Sequence, residues 1–145
     1  MLNLRRCVVV VAVLLVSGMA SAQTSETADI AALRVRANAG DANAQFSLGN
    51  ANAEGQGVPQ DYAQAVSWYR KAADQGYAGA QYNLGYAYYT GQGVPQDYVE
   101  SHKWFNLAAS RASAENRKRV TESRDAVASL MTSQQIADAQ KLARE

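Results

Sequence analysis

A chain of 145 residues with 14 basic and 13 acidic side chains is close to neutral, so it has no general electrostatic attraction for nucleic acid or for an anionic membrane surface. Its one cysteine (Cys7) and one histidine (His102) exclude a disulfide framework and a His/Cys metal cluster. The length suits one modest domain.

The first element reads as a targeting segment. Arg5 and Arg6 precede the apolar run Val8 to Val16, and Ala20-Ser21-Ala22 supplies an A-x-A cleavage site. The unbroken apolar run is far shorter than the roughly 20 residues that span a bilayer. A cleaved bacterial secretory signal over residues 1–22 is expected, with export to the periplasm or beyond and no stable membrane insertion afterwards. Cleavage removes Cys7 and two arginines and leaves 12 basic against 13 acidic side chains, a net charge of −1. A short disordered tail is expected over 23–27.

Residues 28–40 follow as an N-terminal capping half-repeat. Ala37 stands where Ala73 does later and Gly40 where Gly76 does, while Ala32 occupies a position held elsewhere by tryptophan. Two full repeats are then read over 41–76 and 77–112. The octapeptide Gly55 to Tyr62 recurs unchanged as Gly91 to Tyr98, and 18 of 36 aligned positions are identical without gaps. A period of this size marks a stacked repeat array.

Within the second copy, Ala80, Leu84, Ala87 and Tyr88 fall at helical spacing and predict a first helix from about Ala78 to Thr90. Gly91 and Gly93 stop it, as Gly55 and Gly57 do in the first copy. Val94 can return to the core, and Pro95 keeps the link extended. Asp97, like Asp61, is placed to cap a second helix, and Glu100, like Gln64, completes a capping-box pattern. Trp104 and Trp68 then fill space between helices, while Ala108, Ala109, Ala72 and Ala73 let neighbours approach. The unit is an antiparallel helix pair.

Residues 113–145 read as two C-terminal capping helices. The first begins in register but lacks the Leu-Gly pair (Leu48-Gly49 and Leu84-Gly85 in the repeats) and the glycine loop. The last starts at Thr132, with Gln135 completing a capping box and Ile136, Ala139 and Leu142 on one side. Such caps matter, because about three repeats are usually needed for a stable array. Arg111, Arg117, Lys118, Arg119 and Arg124 concentrate positive charge here. They form either a dock for an acidic partner or a solvated outer face.

Candidates for chemistry are few. His102 replaces Val66 of the first copy, with Asn106 at i+4 and no helical ligand partner. It reads as a partly buried or surface histidine. Asp61 and Asp97 read as caps, and the Gly-x-Gly loops lack the strand and Lys-Ser/Thr of a phosphate loop. No catalytic residue, metal site or cofactor is expected.

Ala-x3-Leu-Gly, Gly-x-Gly-Val, Asp and Trp-Tyr-x-Lys-Ala-Ala-x-x-Gly together resemble the Sel1-like repeat, a relative of the tetratricopeptide repeat. The first copy supplies Ala44, Leu48-Gly49, Gly55 to Val58, Asp61, Trp68 to Ala73 and Gly76; the second departs from it at Phe105, Asn106 and Leu107. The resemblance implies an all-α, short right-handed α-solenoid that mediates protein–protein contacts. A cysteine-rich branch of that family is associated with binding or hydrolysing β-lactams. The residues after position 22 hold no cysteine, so that activity does not carry over.

Arrays of this kind commonly line a concave groove with first-helix residues. Phe46, Asn50, Gln81, Tyr82, Tyr86 and Tyr89 are therefore the candidate contacts for a protein or peptide partner, tyrosine combining area with a polar tip. The expected function is an exported, non-enzymatic interaction module. Two alternatives stay open: an envelope enzyme acting on a cell-wall or β-lactam substrate, and a structural or regulatory subunit that works through the basic cap.

Overall fold

The computed structural model describes residues 28–145, and all regular structure in them is helical. The signal read at 1–22 and the tail read at 23–27 lie outside the described residues. Helix α1 is seen over 28–38, followed by α2 (Ala42–Glu54), α3 (Tyr62–Asp74), α4 (Ala78–Thr90), α5 (Tyr98–Arg111), α6 (Ala114–Ala128) and α7 (Ser133–Leu142). Consecutive helices pack together from α2 to α6, and α7 folds back against α5. This is the expected all-α array of helix pairs.

The repeated octapeptide acts as a hinge. Gly55 and Gly91 end α2 and α4 with φ of 72° and 75°, a left-handed cap that glycine adopts without strain. Val94 returns to pack on the core. Gly93 lies against the Tyr62 carbonyl and the Ala63 amide, where any side chain would strike the backbone of the preceding repeat. Asp61 then accepts from the Gln64 amide at 2.9 Å, and Asp97 accepts from those of Val99 and Glu100 at 2.9 and 3.0 Å. Each thereby satisfies amides that a helix start leaves unpaired.

The Glu100 half of the expected capping box is not formed. Its carboxylate instead pairs with Lys103 and accepts from the Trp104 indole at 3.0 Å. A buried indole N–H has few other acceptors, whereas the amide at a helix start can turn to water. In α7, by contrast, Thr132 and Gln135 form the box in both directions.

Within each pair the first helix offers a glycine to a ring on the second. A Cβ on Gly49 would sit 2.5 Å from Tyr69 Cε1, and one on Gly85 would sit 2.9 Å from Phe105 Cδ1. The Leu-Gly step thus serves two contacts. Leu48 and Leu84 are fully buried, each worth about 1.5–3 kcal/mol on burial, and the adjacent glycine seats the ring on bare helix backbone.

A different contact joins one pair to the next. The Gln45 amide donates to the Ala37 carbonyl at 3.0 Å, and the Gln81 amide donates to the Ala73 carbonyl at 3.1 Å. Both acceptors lie at the end of the preceding second helix, where each carbonyl also accepts from a turn glycine, Gly40 or Gly76.

The glycine seat predicts a sign. Gly→Ala in a helix ordinarily stabilises by about 1 kcal/mol, but Gly49→Ala is expected to destabilise by roughly 1–3 kcal/mol through overpacking. In a Tyr69→Leu background, which removes the ring, the alanine should become neutral or stabilising. Urea unfolding of the four proteins in this cycle measures the coupling.

Candidate functional site

Three clefts open between successive pairs, and each is lined by first-helix residues. The first, about 180 Å³, lies between Ala53, Tyr62, Val66 and Tyr69 of the first repeat and Asn83 and Tyr86 of α4. The second, about 140 Å³, lies between Tyr82, Tyr86 and Tyr89 of α4 and Ser123, Ala126 and Val127 of α6. The third is larger, about 380 Å³, and adjoins the starts of α4 and α6.

Tyr86 borders both smaller clefts and is 49% exposed. Tyr89 is 36% exposed, with its ring centroid 6.4 Å from that of Tyr86 and 6.1 Å from that of Tyr98. The spacing of these residues along α4 places them on the side facing both neighbours, and no described side chain covers them fully. They form an aromatic ridge with clefts on either side.

The other expected contacts divide. Asn50 is half-buried, and its carbonyl accepts from the Tyr69 hydroxyl at 2.8 Å and from the Asn83 amide at 3.2 Å. Burial raises the pKa of Tyr69 above the ordinary phenol value, which keeps it a donor to Asn50. Phe46 packs at 4.9 Å on Tyr77 and lies over Gly79. Tyr82 packs tilted against Phe105 at 5.3 Å, and the Arg119 guanidinium lies over its ring at 5.1 Å. Phe46 and Tyr82 are thus cleft walls that also hold neighbouring helices.

Gln81 requires a correction. It is 2% exposed and joins α4 to α3 through Ala73, so its side chain faces the repeat junction and not the groove. Sequence reasoning also passed over Asn83, which sits three residues before Tyr86 on the same helix face and borders two clefts. That spacing was the available signal.

The five basic residues do not form one patch. Arg111 and Arg119 line the large cleft, and Arg117 and Arg124 line another depression beside Asn106, Leu107 and Ala143. Lys118 points outward toward Glu122 at 4.0 Å. Arg124 pairs with Asp125 at 2.7 Å, and Arg117 donates to the Ala112 carbonyl at 3.2 Å. Successive helical positions differ by about 100°, so Arg117, Lys118 and Arg119 necessarily leave on different sides.

His102 lies deeper than the sequence implied. It is 3% exposed, and its Nδ1 has no hydrogen-bond partner among the described residues. Burial lowers its pKa below the ordinary histidine value, Arg124 adds to that effect, and Asp125 opposes it. A neutral ring filling the place of Val66 is a packing element. Among the described residues no group of three or more His, Cys, Asp or Glu could hold a metal ion, and no helix is long and apolar enough to cross a membrane.

The Sel1 repeat family profile matches residues 42–77 and 78–113. Among solved structures, the chain is similar to c5321, a protective antigen present in uropathogenic Escherichia coli strains and displaying an SLR fold. The identity is 39% and the TM-score 0.73, over 79% of this chain and 24% of that one. It is also similar to a Sel1 repeat protein from Oxalobacter formigenes at 38% identity and a TM-score of 0.52, over 55% of this chain and 32% of that one. The chain thus spans about a quarter to a third of the length of these proteins. No curated protein matches it.

His102 gives a pH test. With its folded-state pKa below the unfolded value, the unfolded chain binds the extra proton, so stability rises with pH across that window. The contribution is complete above the ordinary histidine pKa of about 6.5 and is lost as pH falls toward the folded value. His102→Val should flatten this part of the curve, which urea midpoints at stepped pH will show.

Proposed function

This chain is a Sel1 repeat protein, and from that premise we propose that it works as an exported, non-enzymatic module that holds a segment of a partner protein along α2, α4 and α6. Sel1 repeats generally serve as protein-interaction scaffolds and are typically not catalytic. Export rests on the charged start, the short apolar run and the Ala20-Ser21-Ala22 site.

The observation that carries the reading is the exposure of Tyr86 and Tyr89 beside two clefts that share Tyr86. A packed array has no structural need for neighbouring half-exposed tyrosines. Interfaces use them, because a rigid ring buries a large area at low entropic cost. The first repeat has Asn50 and Ala53 at the equivalent positions. The surface is therefore aromatic toward α6 and smaller and amide-bearing toward α2, and such asymmetry gives a bound segment a direction.

Photo-crosslinking from position 86 in the native envelope, with position 35 on α1 as an exposed control, tests the reading. One partner captured at 86 and missing at 35 is expected. The same set of abundant bystanders at both positions would sink the proposal. With a captured partner in hand, Tyr86→Ala/Tyr89→Ala should weaken binding by about 30-fold or more, as expected for an aromatic hot spot, with the melting temperature nearly unchanged.

A further inference from the structure

The cleft of about 380 Å³ beside the starts of α4 and α6 has a chemistry different from that of the tyrosine ridge. Its walls include the Phe46 and Tyr82 rings, the Asn83 and Asn116 amides, and Arg111 and Arg119, and no acidic residue lines it. Neither arginine has a carboxylate within 4.0 Å among the described residues. Arg36, Lys103, Lys118, Arg124 and Lys141 each do, while Arg34, Arg70, Lys71, Arg117 and Arg144 share the lack but do not line this cleft.

Neither guanidinium group has its charge neutralised by a carboxylate, and Arg119 engages an aromatic face instead. Arg119 lies over the Tyr82 ring, and Arg111 lies against the Gly76 turn, where glycine leaves room for it. Arg111 stands 36 positions after Gln75, and Arg119 stands 36 positions after Asn83. In the first junction Gln75 donates to Gln45 Oε1 at 2.8 Å. In the second, Arg111 has replaced that donor and Gln81 Oε1 is buried without a partner. The substitution gives up a hydrogen bond inside the array and places a cation on its surface. The positive end of the α6 dipole, at the Ser113 cap, adds field of the same sign to the same cleft.

We infer that this cleft is a recognition site for an acidic segment of a partner polypeptide, with carboxylates on Arg111 and Arg119 and an apolar side chain against Phe46 and Tyr82. The inference deepens the interaction-module reading and rests on it, but it uses residues separate from the exposed Tyr86–Tyr89 ridge. Paired guanidinium groups match carboxylate oxygens in geometry as well as charge. The aromatic walls favour a peptide over a bare anion, and the two amides can meet an extended backbone.

The test uses the protein exported from its full-length precursor, labelled with nitrogen-15. It is titrated with the blocked peptide acetyl-Glu-Leu-Glu-Phe-Glu-amide, with its all-glutamine counterpart, and with inorganic phosphate. Saturable shifts clustered at Gly79, Asn83 and Arg119 are expected with the acidic peptide, and they should weaken as added salt shortens the Debye length. R111Q/R119Q should weaken binding by about tenfold or more, while R111K/R119K, which keeps the charge but loses the planar fork, recovers only part of it. Scattered shifts, equal binding of the glutamine peptide, or indifference to R111Q/R119Q would each overturn the assignment. Phosphate binding as tightly as the peptide at the same resonances would also overturn it, making the cleft a bare anion site. A failed titration alongside partner loss in Tyr86→Ala/Tyr89→Ala would remove this cleft and leave the interaction-module reading intact.

Discussion

One contact sets the geometry on which the rest depends: an aromatic ring of the second helix seated on a glycine of the first. Tyr69 on Gly49 and Phe105 on Gly85 fix how closely the two helices of a pair approach. A methyl group in that gap would push the ring outward, and the neighbouring leucine would lose part of its burial. Interiors are packed too densely to absorb such a shift locally. The spacing of the pair in turn fixes the angle at which the hinge leaves α4, and so the position of Gly93 against the preceding repeat.

Once that frame is set, the surface can change without cost to the fold. Positions shared by the two copies are hinge, seat, cap and core. Several positions that differ between the copies border clefts in the second: Tyr86 stands in place of Asn50, Tyr89 of Ala53 and Arg111 of Gln75. His102 shows the limit of this freedom. It replaces a core valine, and its ring fits, but one nitrogen is left buried and unpaired, a cost that packing of the ring must offset.

Much of the fold was legible because its signals are local. Helical spacing of Ala80, Leu84 and Ala87, glycines at the helix ends and aspartates at the starts each carry their meaning within a few residues. The departures are of another kind. Glu100 fits a capping box by spacing, but a more demanding donor on Trp104 takes its carboxylate. Gln81 looks like a polar groove residue, yet its amide serves the end of the previous helix, eight positions back in sequence. The run of basic residues around the cap looks like a patch in one dimension and is dispersed by the helical turn. Trp104 lies one turn along the same helix as Glu100, so spacing offers two partners and cannot rank them, while the partner of Gln81 lies across a helix junction. Tyr86 and Tyr89 keep much of their surface exposed, with other tyrosine rings packed near them.

The glutamine that reaches back to the preceding helix has a consequence for how such an array can change in length. Gln45 and Gln81 each ask only for a carbonyl at the end of a helix, and every pair ends in one. The joint is therefore indifferent to which copy it joins. A duplication or deletion of whole 36-residue units restores the same donor and acceptor in the same register, while a fractional change within a helix pair misaligns both. Growth in whole units is built into the junction chemistry, and the spacing between clefts along the array is quantised with it.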